Sequence, residues 1–159
     1  MPLSLAASLI LAIGAVFLFG LNDGAAALAA GLAADHQRCF KTGDSEHAVD
    51  ADAAEQGWQH DRGWAIHVAE TDPAEQIQLV GVRRCISSDG TTAHVMYRWH
   101  GQPLSVYVLS RSRGEKGFVD SMGHEAAIWS QNGRTYAVLA EGHPAGFTHI
   151  VSYVRDHTR

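Results

Sequence analysis

Nineteen consecutive residues, Leu3 to Leu21, carry no charge, and the first ionisable side chain of the chain is Asp23. At about 1.5 Å per residue a helix of that length spans about 28 Å, close to the hydrocarbon thickness of a bilayer. The pattern predicts a single transmembrane anchor over residues 1–22. A cleaved signal peptide is the competing reading, because GAAALAAGLAA follows the run. Against it, MPLS offers no basic side chain and the apolar stretch exceeds the usual signal core. The alanine-rich continuation, residues 23–43, reads as a juxtamembrane helix that ends at Gly43 and sets His36 and Cys39 on one face.

The remaining residues, 44–159, read as one α+β domain. DSEHAVDADAAEQGWQHDRG is polar and acidic, with a short helix expected at 48–56 and with Trp58 and Trp64 as docking points. From residue 77 the pattern changes to period two. IQLVGVRRCI, TAHVMYRW, PLSVYVLS, EAAIWS and RTYAVLAEG are strand-length, rich in β-branched and aromatic residues, and separated by turn signals. They predict a five-stranded antiparallel meander with a tight Asn132-Gly133 hairpin. One sheet face is expected in the core and the other, with His94, Met96 and Arg98, wetter. In HPAGFTHIVSYVRDHTR the spacing of Phe147, Ile150, Val151 and Val154 predicts a C-terminal helix.

Composition narrows the functional classes. The net charge is −5, and ten arginines and two lysines are dispersed along the chain, so no footprint for nucleic acid exists. There is no C-x-x-C, H-E-x-x-H, G-x-S-x-G, phosphate-cradling glycine loop or haem-attachment motif. A catalytic role is not expected, and no small-molecule substrate is indicated. The basic loop with Arg111, Arg113 and Lys116 reads as a solvated hairpin. Trp99 and Trp129 read as core, and His94 and His100 as surface.

Ten histidines and two cysteines leave one constellation to weigh. Placed outside the cytoplasm, Cys39 and Cys85 read first as a disulfide joining the juxtamembrane helix to the first strand. The alternative is a tetrahedral site for zinc, or a softer one for copper, made by His36, Cys39, Cys85 and His124. The third reading is a pair of reduced structural thiols, and only the metal reading implies a cofactor.

The anchor, ADHQRCF, VGVRRCI, the pair AHVMYRW and PLSVYVLS, and GHEAAIWSQNGRTYAVLAEG with its closing helix together resemble the extracytoplasmic sensor half of bacterial membrane-bound anti-sigma factors. The resemblance covers nearly the whole chain and places a cysteine just past the membrane and a second, Cys85, after Arg83 and Arg84. It implies a regulatory or sensory domain of the bacterial inner membrane, single-pass, with its C-terminal domain in the periplasm. No H-x-x-x-C-x-x-C segment precedes the anchor, so binding of a sigma factor is not expected. The other reading is an accessory subunit whose helix packs, through Ala6, Ala7, Gly14 and Gly20, against other membrane proteins.

Overall fold

A computed structural model describes residues 24–41, 48–85, 92–114 and 117–158. Helix α1 covers residues 24–41. Helix α2, Ala51–Arg62, begins at an Asp50 cap whose carboxylate accepts from the Ala53 amide at 2.8 Å, and it stops at Gly63 in the left-handed region. Six strands follow: β1 Ile77–Cys85, β2 Thr92–Trp99, β3 Gln102–Leu109, β4 Gly117–Ser121, β5 His124–Gln131 and β6 Arg134–Glu141. Helix α3, Phe147–His157, closes the chain and buries Phe147, Ile150, Val151 and Val154.

The sheet is antiparallel throughout, in the order β1-β2-β3-β6-β5-β4. It corrects the expected five-stranded meander in two ways. The sixth strand, β4, lies inside the polar stretch RSRGEKGFVDSMG. It is a short, exposed edge strand, and its sequence carries no buried alternation to reveal it. The chain also does not run from neighbour to neighbour. Two three-stranded meanders join through β3 and β6, with Val106 opposite Val138. These two strands are buried along almost their whole length, so the most apolar segments hold the centre and the marginal one is left at the rim. Between β5 and β6, Asn132 and Gly133 both adopt positive φ, 51° and 75°, in a two-residue hairpin of the type whose twist matches that of the strands.

Both sheet faces are covered. On one, Trp58 of α2, Ile66 and Val68 of the following segment, and the apolar stripe of α3 meet Leu79, Tyr97, Val106 and Val138. On the other, Ala29, Leu32 and Ala33 of α1 meet Tyr107, Leu109, Ile128 and Leu139, and Cys39 meets Val80 and Met96 further along. The stripe Ala25, Ala29, Leu32, His36, Cys39 recurs every three or four residues, so one side of α1 lies along the sheet. The face expected to be wetter is therefore a second core, and His94 is fully buried in it.

The expected anchor, residues 1–22, lies outside the described residues. Among the described residues no helix is long and apolar enough to cross a membrane. Helix α1 carries Asp35, Arg38 and Lys41, and it turns its apolar stripe to protein. The expectation of an N-terminal transmembrane helix, and the inner-membrane, periplasmic placement that rested on it, are corrected accordingly.

Candidate functional site

The layer between α1 and the sheet contains the polar residues that a second core would ordinarily exclude. Asp35, His36, Cys39, His94, Ser105 and His124 are all buried there, none more than 8% exposed. Spacing supplies the first two positions: Asp35 and Cys39 stand four residues apart on α1, one above the other on the same face. Strand pairing supplies the rest, because His94 on β2 sits opposite Tyr107 on β3 and Met96 opposite Ser105, so His94, Ser105 and Tyr107 form one patch.

Their contacts form a chain. His94 Nδ1 lies 3.1 Å from Asp35 Oδ2, and His94 Nε2 lies 2.7 Å from Ser105 Oγ. Ser105 Oγ is also 2.6 Å from His36 Nδ1. The Tyr107 hydroxyl donates to Asp35 Oδ2 at 3.2 Å and to the Leu32 carbonyl at 3.0 Å, and its ring stacks on His94 with centroids 4.3 Å apart. The Cys39 thiol donates to Asp35 Oδ2 at 3.7 Å. His124 Nδ1 donates to the Met122 carbonyl at 2.9 Å, its ring meets His36 edge-on, and its Nε2 has no hydrogen-bond partner among the described residues.

His94 Nδ1 is within ion-pair distance of Asp35, yet it is off the line a hydrogen bond requires and counts as unpartnered among the described residues. The geometry matters more here than the distance. With the proton on Nε2, His94 donates to Ser105 Oγ and Ser105 donates to His36 Nδ1, which leaves the His94 Nδ1 lone pair facing a carboxylate. With the proton on Nδ1, the bond to Asp35 is bent. In either tautomer a buried nitrogen and a carboxylate oxygen face each other without full compensation.

The protonation states follow from burial and neighbours. Burial alone would raise the Asp35 pKa; the approach of His94 and hydrogen bonding from Cys85 and Tyr107 outweigh it and hold the carboxyl below its usual value. Burial pushes His94 down despite Asp35. His36 falls to about 3, through burial first and then through His124 and His94. Burial raises the Cys39 thiol, and the Asp35 charge adds to the effect. At neutral pH the layer holds the Asp35 carboxylate, the neutral imidazoles of His36 and His94, and a protonated Cys39 thiol.

Two chemistries are open to such a set. The order carboxylate, imidazole, hydroxyl is that of a serine relay. However, Ser105 is fully buried and its acid, Asp35, sits on the helix that covers it, so uncovering the hydroxyl dismantles the relay. The other is metal ligation. One donor atom each from Asp35, Cys39 and His94 fall within 4.8 Å of one another. A tetrahedral metal with nitrogen and oxygen near 2.0 Å and sulfur near 2.3 Å separates its ligands by about 3.3 to 3.5 Å. The observed 3.1 and 3.7 Å bracket that spacing.

The structure brings His36, Cys39, Cys85 and His124 into one layer, and around them stand Asp35, His94, Ser105 and Tyr107, which the sequence reading passed over. Cys39 and Cys85 are buried thiols, and no disulfide joins them. This corrects the expected bridge: both thiols turn to the Asp35 carboxylate, and a polar group stands where a sulfur-sulfur bond was expected. The apolar runs in β3 and β6 hint at strands covered on both faces, but nothing local to β2 places His94 inside. Comparison with protein-family models, with curated proteins and with solved structures gives no match, so the likeness to anti-sigma sensor domains draws no support from relatives.

Proposed function

We propose that this is a regulatory or sensory domain that responds to a thiophilic transition metal, zinc or copper(I), taken up between α1 and the sheet by Asp35, Cys39 and His94. The observation that carries the reading is the buried His94 Nδ1, without an aligned partner among the described residues, beside a carboxylate oxygen and a thiol at ligand spacing. A cation there would satisfy all three at once, and Cys39 would release its proton on binding. Carboxylate, imidazole and thiolate together suit zinc; the thiolate and imidazole alone suit copper(I). Ser105 on His94 Nε2 and Tyr107 on Asp35 Oδ2 are the outer contacts that orient such ligands. Cys85, hydrogen-bonded to Asp35, offers a further thiol beside it.

The regulatory part follows from where the ligands sit. Two come from α1 and one from β2, so a metal would tie the helix to the sheet, and its loss would loosen that seam. The test is cobalt titration of the metal-stripped full chain with hydrogen exchange followed on α1. A thiolate-to-cobalt absorption band at one equivalent, absent from Cys39→Ser, together with slower exchange of α1 amides, is expected. No band, or a band that Cys39→Ser retains, overturns the metal site; a band without any change in α1 exchange overturns the regulatory reading.

A further inference from the structure

We propose that the cavity between α2 and the edge strand β1 binds a small oxyanion, a compact molecule bearing a phosphate or carboxylate group. The cavity measures about 360 Å³ and is bordered by Val49, Gly57 and Trp58, by Arg62 at the end of α2, and by Val82 and Arg84 of β1. It lies on the sheet face opposite α1 and shares no ligand with the metal cluster.

Arg62 and Arg84 border it, and Trp58 forms part of its wall. Arg62 and Arg84 have no carboxylate partner among the described residues, and Arg62 lies over the face of Trp58, 5.7 Å from the ring centre. Trp58 is buried, and its indole Nε1–H has no acceptor among the described residues. The nitrogen is sealed from solvent, so Trp58 offers the cavity its ring and serves there as a reporter, not as a donor. Two guanidinium groups beside it supply the planar, forked donors that match phosphate and carboxylate oxygens. Asp61 at the rim pairs with His60 at 3.1 Å, and the cavity keeps an excess of positive charge in a chain whose net charge is −5.

Arg83 also borders the cavity, and the strand explains why the side chain of Arg84, not that of Arg83, serves it. Successive side chains alternate across the sheet. Val82 packs with the core on the α2 face, and Arg84 follows it there, whereas Arg83 acts on Cys39 on the α1 face. β1 stands at the edge of the sheet beside β2, and its register shifts between Leu79 and Gly81, so a bulged sheet edge forms one wall. The volume is at the lower end for small-molecule pockets and suits a phosphate monoester or a short dicarboxylate, not a length of peptide.

The experiment is a titration of the ¹⁵N-labelled, metal-free full chain with inorganic phosphate and, separately, with succinate at physiological ionic strength. The readout is the Trp58 indole N–H resonance, assigned by its loss in Trp58→Phe. A saturable shift with a dissociation constant below about 1 mM is expected for at least one probe. Arg62→Gln and Arg84→Gln, both at exposed positions and so compatible with folding, should each weaken it at least about tenfold. A response to phosphate alone assigns the phosphate chemistry and to succinate alone the carboxylate. Absence of a saturable shift with both probes, a shift that survives both arginine substitutions, or a response confined to acidic peptides overturns the proposal. Cys39→Ser should bind the same probe unchanged, which keeps this outcome separate from that of the metal site.

Discussion

Asp35 Oδ2 and His94 Nδ1 lie 3.1 Å apart across the seam between α1 and β2, one on a helix and the other on a strand far along the chain. Both are buried, so their juxtaposition holds the register of the helix on the sheet and gives the seam its chemistry. A seam closed only by Ala29, Leu32 and Ala33 would slide more readily, because small apolar contacts have little directional preference.

Replacing Ser105 by alanine tests the outer contact of the metal cluster. The change removes the acceptor at His94 Nε2 without touching a ligand, and cobalt or zinc affinity is expected to fall about 10- to 100-fold. Competition with a chromophoric chelator measures it; unchanged affinity would show that Ser105 does not orient His94.

Tyr107→Phe removes the hydroxyl that serves the Leu32 carbonyl and the Asp35 carboxylate. With both acceptors buried, the loss is expected to cost about 1–3 kcal/mol. Urea unfolding of the metal-free protein reads it as a lower midpoint with an unchanged slope.

Tyr97 sets an alkaline limit. Its hydroxyl is fully buried and donates to the Ala69 carbonyl at 3.1 Å, and burial raises its pKa above the usual 10.0. The unfolded chain therefore loses this proton first. The associated stability is complete below about pH 10 and declines as pH rises beyond it. Tyr97→Phe should lower stability at pH 7 by about 1 kcal/mol and flatten the alkaline decline, as circular dichroism melts across pH 8 to 12 would record.

Gly133 has φ of 75°, and nothing lies within 4 Å of a side chain added there. Gly133→Ala therefore meets backbone strain and no clash. About 1 kcal/mol of destabilisation is expected, with the sheet retained. A melting temperature equal to that of the unchanged protein would contradict the hairpin geometry.

Periodicity made much of the scaffold legible. The alternating runs locate β1, β2, β3, β5 and β6, Asn132-Gly133 marks its hairpin, and the spacing of Phe147, Ile150, Val151 and Val154 marks α3. His36, Cys39, Cys85 and His124 could be singled out because their side chains have chemistry that burial must explain. Asp35, His94, Ser105 and Tyr107 could not, since each is an ordinary residue until another element is laid against it. The polar side of β2 reads as solvated while the sheet is considered alone, and only the docking of α1 turns it into an interior.

Local sequence determines where the backbone extends, coils and turns, because side-chain spacing and positive-φ positions act over a few residues. The order β1-β2-β3-β6-β5-β4, the burial of His94 and the meeting of two thiols at Asp35 in place of a disulfide were decided by tertiary structure alone. These depend on which apolar surfaces find each other, and that is settled by the area each element removes from water when all of them are present, not by any one segment.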